Sequence, residues 1–112
     1  MTKRMPRMAG TSPTQLTLKR LRADGFRAAV VEHWNPFARI RQDLFGIIDV
    51  LGVRKGETIG VQCTTYGNRL ARVQKMVEHE SIGDLRDAEW TIEVHGWRKI
   101  KNRWQCTVEE IS

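Results

Sequence analysis

The chain has 112 residues, 40% of them apolar, which is enough for one core and too few for two. With 19 Lys and Arg against 13 Asp and Glu, its formal net charge is +6, so a polyanion is the expected partner. No apolar run nears the roughly 20 residues that span a bilayer, and the N-terminus lacks the apolar stretch of a secretory signal; a cytoplasmic protein without membrane contact is expected.

Residues 1–11, MTKRMPRMAGT, are basic and aperiodic and contain Pro6 and Gly10, so they read as a flexible arm whose Lys3, Arg4 and Arg7 can touch phosphates. Residues 12–112 read as a single domain. SPTQLTLKRLRADG predicts a helix with Ser12 as N-cap, Pro13 in the first turn, Gln15 completing a capping box, Leu18 and Leu21 at core spacing, and Gly25 as the stop. FRAAVVEHW, from Phe26, predicts a strand. The WNPFARIRQ stretch after it is expected to be an irregular loop, because Pro36 cannot donate to a ladder. Its Arg39 and Arg41 are candidate phosphate contacts. Trp34 and Phe37 either stack on exposed bases, wedging a branched junction, or simply anchor the loop.

IIDVLGVRKGETIGVQCTT comes next: two apolar runs joined by a charged turn, with an acid in the first and a glutamine in the second. Leu44–Val53 predicts one strand, RKGE its four-residue turn, and Thr58–Thr65 the other strand. In that register Val53 opposes Thr58, Leu51 opposes Gly60, and Asp49 opposes Gln62. Opposed residues share a face about 5 Å apart, so Asp49, Gln62 and Thr64 are expected to form one polar cluster. YGNRLARVQKMVEHE predicts a helix opened by Asn68, with Leu70, Val73 and Val77 toward the core and Arg69, Arg72 and Lys75 on another stripe. EWTIEVHGWRK and RWQCTVEEI predict two final strands around an Ile100–Asn102 turn. Trp90, Trp97 and Trp104 are expected to pack the core. His33, His79 and His95 lack metal-ligand spacing and read as surface or half-buried rings, and Cys63 and Cys106 read as small apolar residues without zinc or disulfide spacing.

The order helix, three strands, helix, two strands, together with IIDVLG followed by GVQCTT, resembles the PD-(D/E)XK nuclease superfamily. Small phage-type members and Holliday junction resolvases with a DLFG segment, a VQ-x-T strand and a late GWRK strand look closest; here these are Asp43–Gly46, Val61–Thr64 and Gly96–Lys99. The resemblance implies a restriction-endonuclease-like α/β fold, with a central mixed sheet of about five strands flanked by helices. It further implies a metal-dependent endonuclease acting on DNA, including branched DNA, with Mg²⁺ or Mn²⁺ as cofactor.

By position, Asp49 is then the metal-ligating acid, Gln62 stands for the second acid, and Thr64 stands for the lysine; the Cys63 carbonyl is a further candidate ligand. Lys75, or an arginine of the same helix, is the candidate replacement for the missing lysine. Asp43 is a second candidate ligand, brought in by a bend at Gly46, and Glu32 can join if the first strand is a neighbour. Junction resolution would call for a homodimer. Gln62 and Thr64 leave a second reading open, a catalytically inactive nucleic-acid-binding module on the same fold. A third is an interaction or structural protein with a basic surface.

Overall fold

The computed structural model describes residues 12–112, so the basic arm lies outside the described residues. Helix α1 runs Pro13–Ala23. Ser12 Oγ accepts the Gln15 N–H at 3.1 Å, Pro13 takes the first turn where no donor is needed, and Gly25 leaves the helix at φ +92°. Thr17, Leu18 and Leu21 are the buried face of α1.

A five-stranded mixed sheet forms the body, in the order β1 (Arg27–Val30), β4 (Val50–Arg54), β5 (Glu57–Thr65), β6 (Thr91–Ile100), β7 (Arg103–Glu110). Only β5 and β6 are parallel, and their crossover carries α2 (Arg69–Val77) and α3 (Ile82–Asp87). One apolar cluster lies under α1, with Leu18, Leu21, Phe26, Val50 and Val61; the other lies under α2 and α3, with Ile48, Met76, Leu85, Ile92 and Val94. No helix among the described residues is long and apolar enough to cross a membrane.

Several expectations are corrected. The Pro36 segment is not a loop: β2 (His33–Asn35) and β3 (Ile40–Gln42) pair as a small separate hairpin, and the proline sits in its turn, where no ladder donor is missed. The strand expected over Leu44–Val53 is interrupted. Leu44 bridges Ile48 around a tight turn with Phe45 at φ +54° and Gly46 at φ +82°, and β4 begins only at Val50. The β4–β5 turn has two residues, Lys55 and Gly56, because Arg54 pairs with Glu57; the register Val53 to Thr58 and Leu51 to Gly60 is unchanged.

Helix α3 has no counterpart in the sequence reading, since a six-residue helix containing Gly83 is too short to display a period. In α2 the fully buried residue is Met76, whereas Leu70 is 58% exposed. Trp97 is buried, but Trp104 is exposed beneath the Lys99 ammonium. His95 is buried, not at the surface. Trp97 Nε1–H donates to Thr17 Oγ1 at 2.9 Å, which leaves the threonine proton for His95 Nδ1 at 3.2 Å and the ring Nε2–H for Glu93 Oε1 at 2.8 Å. This chain ties α1 to β6 with every buried polar group satisfied. Both cysteines are free.

Candidate functional site

The Leu44–Ile48 turn and the start of β4 build the most chemically loaded corner of the molecule. Asp49 N–H donates to the Val61 carbonyl at 2.9 Å, although Val61 already pairs with Val50. Two residues thus stand against one, in the manner of a β-bulge, and the expected direct opposition of Asp49 and Gln62 is lost. The Asp49 carboxylate instead turns along the strand edge, where Oδ2 accepts the Cys63 N–H at 2.8 Å.

The neighbouring turn folds Asp43 back to the same place. Gly46 N–H donates to the Asp43 carbonyl, and Gly46 lies against the His79 ring so closely that a Cβ would approach Nε2 to 2.8 Å. From the other side, Val31 N–H donates to the Asp49 carbonyl at 2.8 Å, which holds Glu32 beside the acids. Thr14 Oγ1, in the first turn of α1, donates to Glu32 Oε1 at 3.2 Å, and the Arg41 guanidinium stands 3.9 Å from the same oxygen. Carboxylate oxygens of Glu32, Asp43 and Asp49 all lie within 4.8 Å of one another.

These acids open into a cleft of about 320 Å³ whose other walls include Arg41, Gln62, Arg72 and Lys75. Three acids therefore face three cations. Burial pushes the Asp49 carboxyl up to about 8, opposed by the Cys63 N–H bond and reinforced by the hydrogen bond and charge of Asp43 and by the charge of Glu32. At neutral pH this favours the protonated form of Asp49, since burial first and the two neighbouring acids next oppose its charge.

The structure distributes the sequence-derived candidates unevenly. Asp49, Asp43, Gln62, Lys75, Arg41 and Arg72 line the cleft. Gln62 does not present a free amide oxygen: Oε1 accepts Arg72 Nη1–H at 2.8 Å, while Nε2 donates to the Ile47 carbonyl at 2.7 Å and stands 3.4 Å from Asp43 Oδ2. The Ile47 carbonyl can only accept, so the amide orientation is determined. Gln62 is a brace between acid and base, not the ligand expected of it. Thr64 is buried and lies outside the cleft, which corrects its expected share in the cluster.

Cys63 supplies its N–H to Asp49, while its thiol sits in the α1 cluster, where burial raises it far above the ordinary range. Arg69 is bound to Glu109 at 3.1 Å and to the Tyr66 carbonyl at 2.9 Å, and it does not line the cleft. Arg39 is exposed in the β2–β3 turn, and Trp34 and Phe37 are exposed on the same hairpin. The sequence reading missed the Thr14 bond to Glu32 and the Arg72 grip on Gln62; neither has a spacing signature, because each joins side chains of two different elements whose packing no local period encodes. Comparison with protein-family models, curated proteins and solved structures gives no match.

Proposed function

We propose that this protein is a metal-dependent nuclease that hydrolyses phosphodiesters of DNA at the cleft between the Leu44–Ile48 turn and α2. The observation that carries the reading is the convergence of Glu32, Asp43 and Asp49 within 4.8 Å, in a cleft walled by Arg41, Arg72 and Lys75. The donor set suits Mg²⁺ or Mn²⁺: it is all carboxylate, with no thiolate or imidazole among the three. Asp49, Asp43 and Glu32 would hold the cation. When bound, such a cation polarises a phosphodiester and lowers the pKa of an attacking water.

The chain's own residues do the rest. Lys75, one turn beyond Arg72 on α2, takes the place the motif lysine has in the superfamily that the sequence resembles and offsets charge developing on the phosphate. Arg72, fixed by Gln62, orients the same phosphate from beside the acids. The restriction-endonuclease-like arrangement belongs to this proposal, and so does a DNA partner; the order β1-β4-β5-β6-β7 with a parallel β5–β6 pair is compatible with it.

A second reading, DNA binding without cleavage, is favoured by one observation: neither Gln62 nor Thr64 offers the acid and lysine of the full motif, since the Gln62 oxygen is taken by Arg72 and Thr64 lies outside the cleft. Incubation with labelled duplex, single-stranded, forked and four-way DNA in Mg²⁺ or Mn²⁺ separates the two. The nuclease reading expects cleavage that disappears in Asp49→Asn and with chelator. Salt-sensitive binding with no cleavage, and no shift in melting temperature on adding Mn²⁺, would replace it with the binding reading.

A further inference from the structure

The β2–β3 hairpin carries three exposed apolar side chains: Phe37 is 96% exposed, Trp34 54% and Ile40 50%. Its turn is rigid. Asn35 Oδ1 accepts from Phe37 N–H at 2.9 Å and Ala38 N–H at 3.1 Å, and Arg39 N–H closes on the Asn35 carbonyl at 2.7 Å. Phe37 is therefore held out in water by a preformed turn. Trp34 opposes Arg41 in the ladder, so the two share one face about 5 Å apart, and Arg41 lines the acidic cleft.

We infer that this hairpin is a base-stacking element, with Trp34 and Phe37 taking unpaired nucleobases of a DNA strand whose neighbouring phosphate lies in the cleft. The substrate class of the proposed site is then duplex DNA with a single-stranded arm. The inference rests on the nuclease reading for what occupies the cleft, and on the hairpin itself for what the aromatics bind. Phe37 stands in the turn only four residues from Arg41, and stacked nucleotides advance about 3.4 Å each, so a few nucleotides reach from the cleft to the hairpin tip.

Charge selects this occupant. Residues 33–42 contain two arginines and no acid, so two copies of the hairpin would repel each other. Arg39 and Arg41 flank Ile40 directly, an interleaving of cations with apolar groups that fits phosphate and base together. Trp34 shares its face of the hairpin with Arg41, whereas a segment seated on lipid would separate apolar and cationic groups onto opposite faces.

The test uses the full chain in chelator, so that binding is read without cleavage. Anisotropy measures affinity for a duplex and for the same duplex with an unpaired arm, and 2-aminopurine at the first unpaired position reports stacking. Wild type is expected to prefer the forked DNA by about tenfold, with quenched 2-aminopurine. The double variant Trp34→Ala, Phe37→Ala should lose that preference and the quenching while changing duplex affinity less than about twofold. Trp34→Phe, which keeps a stacking face, should retain most of both.

Should the double variant fail to fold, Phe37→Ala serves alone, because a side chain so exposed contributes little to the core. Equal wild-type affinity for the two DNAs, or a loss shared equally between them, overturns the base-stacking role while leaving salt-dependent DNA binding, and with it the cleft's proposed partner, intact. A wild-type dimer that the double variant converts to monomer overturns it in favour of an interface between copies. Absence of binding to any DNA removes both this inference and the proposed function.

Discussion

Replacing Asp49 by Asn removes one charge and almost no volume, and it should stabilise the protein at neutral pH. The asparagine Oδ1 can still accept the Cys63 N–H, and its amide can donate to Asp43, so the contacts of the protonated acid are reproduced. What is lost is the cost of keeping a proton. In the unfolded chain the carboxyl ionises at its ordinary value of 3.8, whereas burial, reinforced by Asp43 and Glu32, raises it to about 8 in the fold.

Through that window the folded state holds a proton that the unfolded state has released. Wild-type stability therefore falls as pH rises, by at most about 1.4 kcal/mol per pH unit, and levels off above about pH 8. The limit at pH 7 is on the order of 4 kcal/mol, and relaxation in a cleft open to water reduces it to ~2 kcal/mol, about 10 °C in melting temperature for a domain of this size. Urea denaturation of both proteins from pH 4 to 9 in chelator, with the wild-type value subtracted from that of the variant, isolates Asp49 from the other acids. The difference should open with pH. A difference that stays flat, or that shrinks toward alkaline pH, would show Asp49 ionised in the fold and refute the close packing of the three carboxyls.

Three further outcomes follow from other contacts. Gln62→Glu puts a carboxylate against the Ile47 carbonyl and Asp43, so without metal it should cost about 1–3 kcal/mol; Mn²⁺ should raise its melting temperature more than that of wild type, as scanning fluorimetry would record. Gly46→Ala combines a left-handed φ of +82° with a 2.8 Å approach to His79, and should both lower stability by more than about 1 kcal/mol and weaken Mn²⁺ binding by displacing Asp43. Thr17→Val orphans Trp97 Nε1 and His95 Nδ1 and should cost ~2–4 kcal/mol in urea denaturation.

The strands of the five-stranded sheet and the α1 helix were legible because their signals are local; that the sheet is mixed was implied only by the resemblance. Ser12, Pro13 and Gly25 delimit α1 within a few residues, and the alternation through Thr58–Thr65 defines a strand whichever partner it finds. The β4–β5 register was also legible, since Val53 and Thr58 are joined by a short turn. Misreadings cluster where two local rules compete. Pro36 argued against pairing, yet it occupies the turn of a hairpin; Leu44–Val53 has strand composition, yet Phe45 and Gly46 turn it back on itself. Leu70, expected toward the core, is exposed and Met76 is buried, because the helical period names a stripe and the neighbouring sheet decides which residues near it are covered.

By itself the sequence determined one basic α/β domain, the strands of its sheet, and a short roster of acids and cations worth watching, because composition and periodicity are properties of neighbours in the chain. It could not assemble them. Glu32, Asp43 and Asp49 meet only after β1 pairs with β4 and the turn at Gly46 packs against His79. Gln62 became a brace only because α2, inside the β5–β6 crossover, folds back over β5 and brings Arg72 to it. Direct opposition of Asp49 and Gln62 was lost to a bulge at Asp49, Thr64 lies farther along β5 outside the cleft, and burial beside two other acids favours a protonated Asp49. Burial, bulges and the meeting of distant charges depend on distances through space, and those distances exist only once the chain has folded.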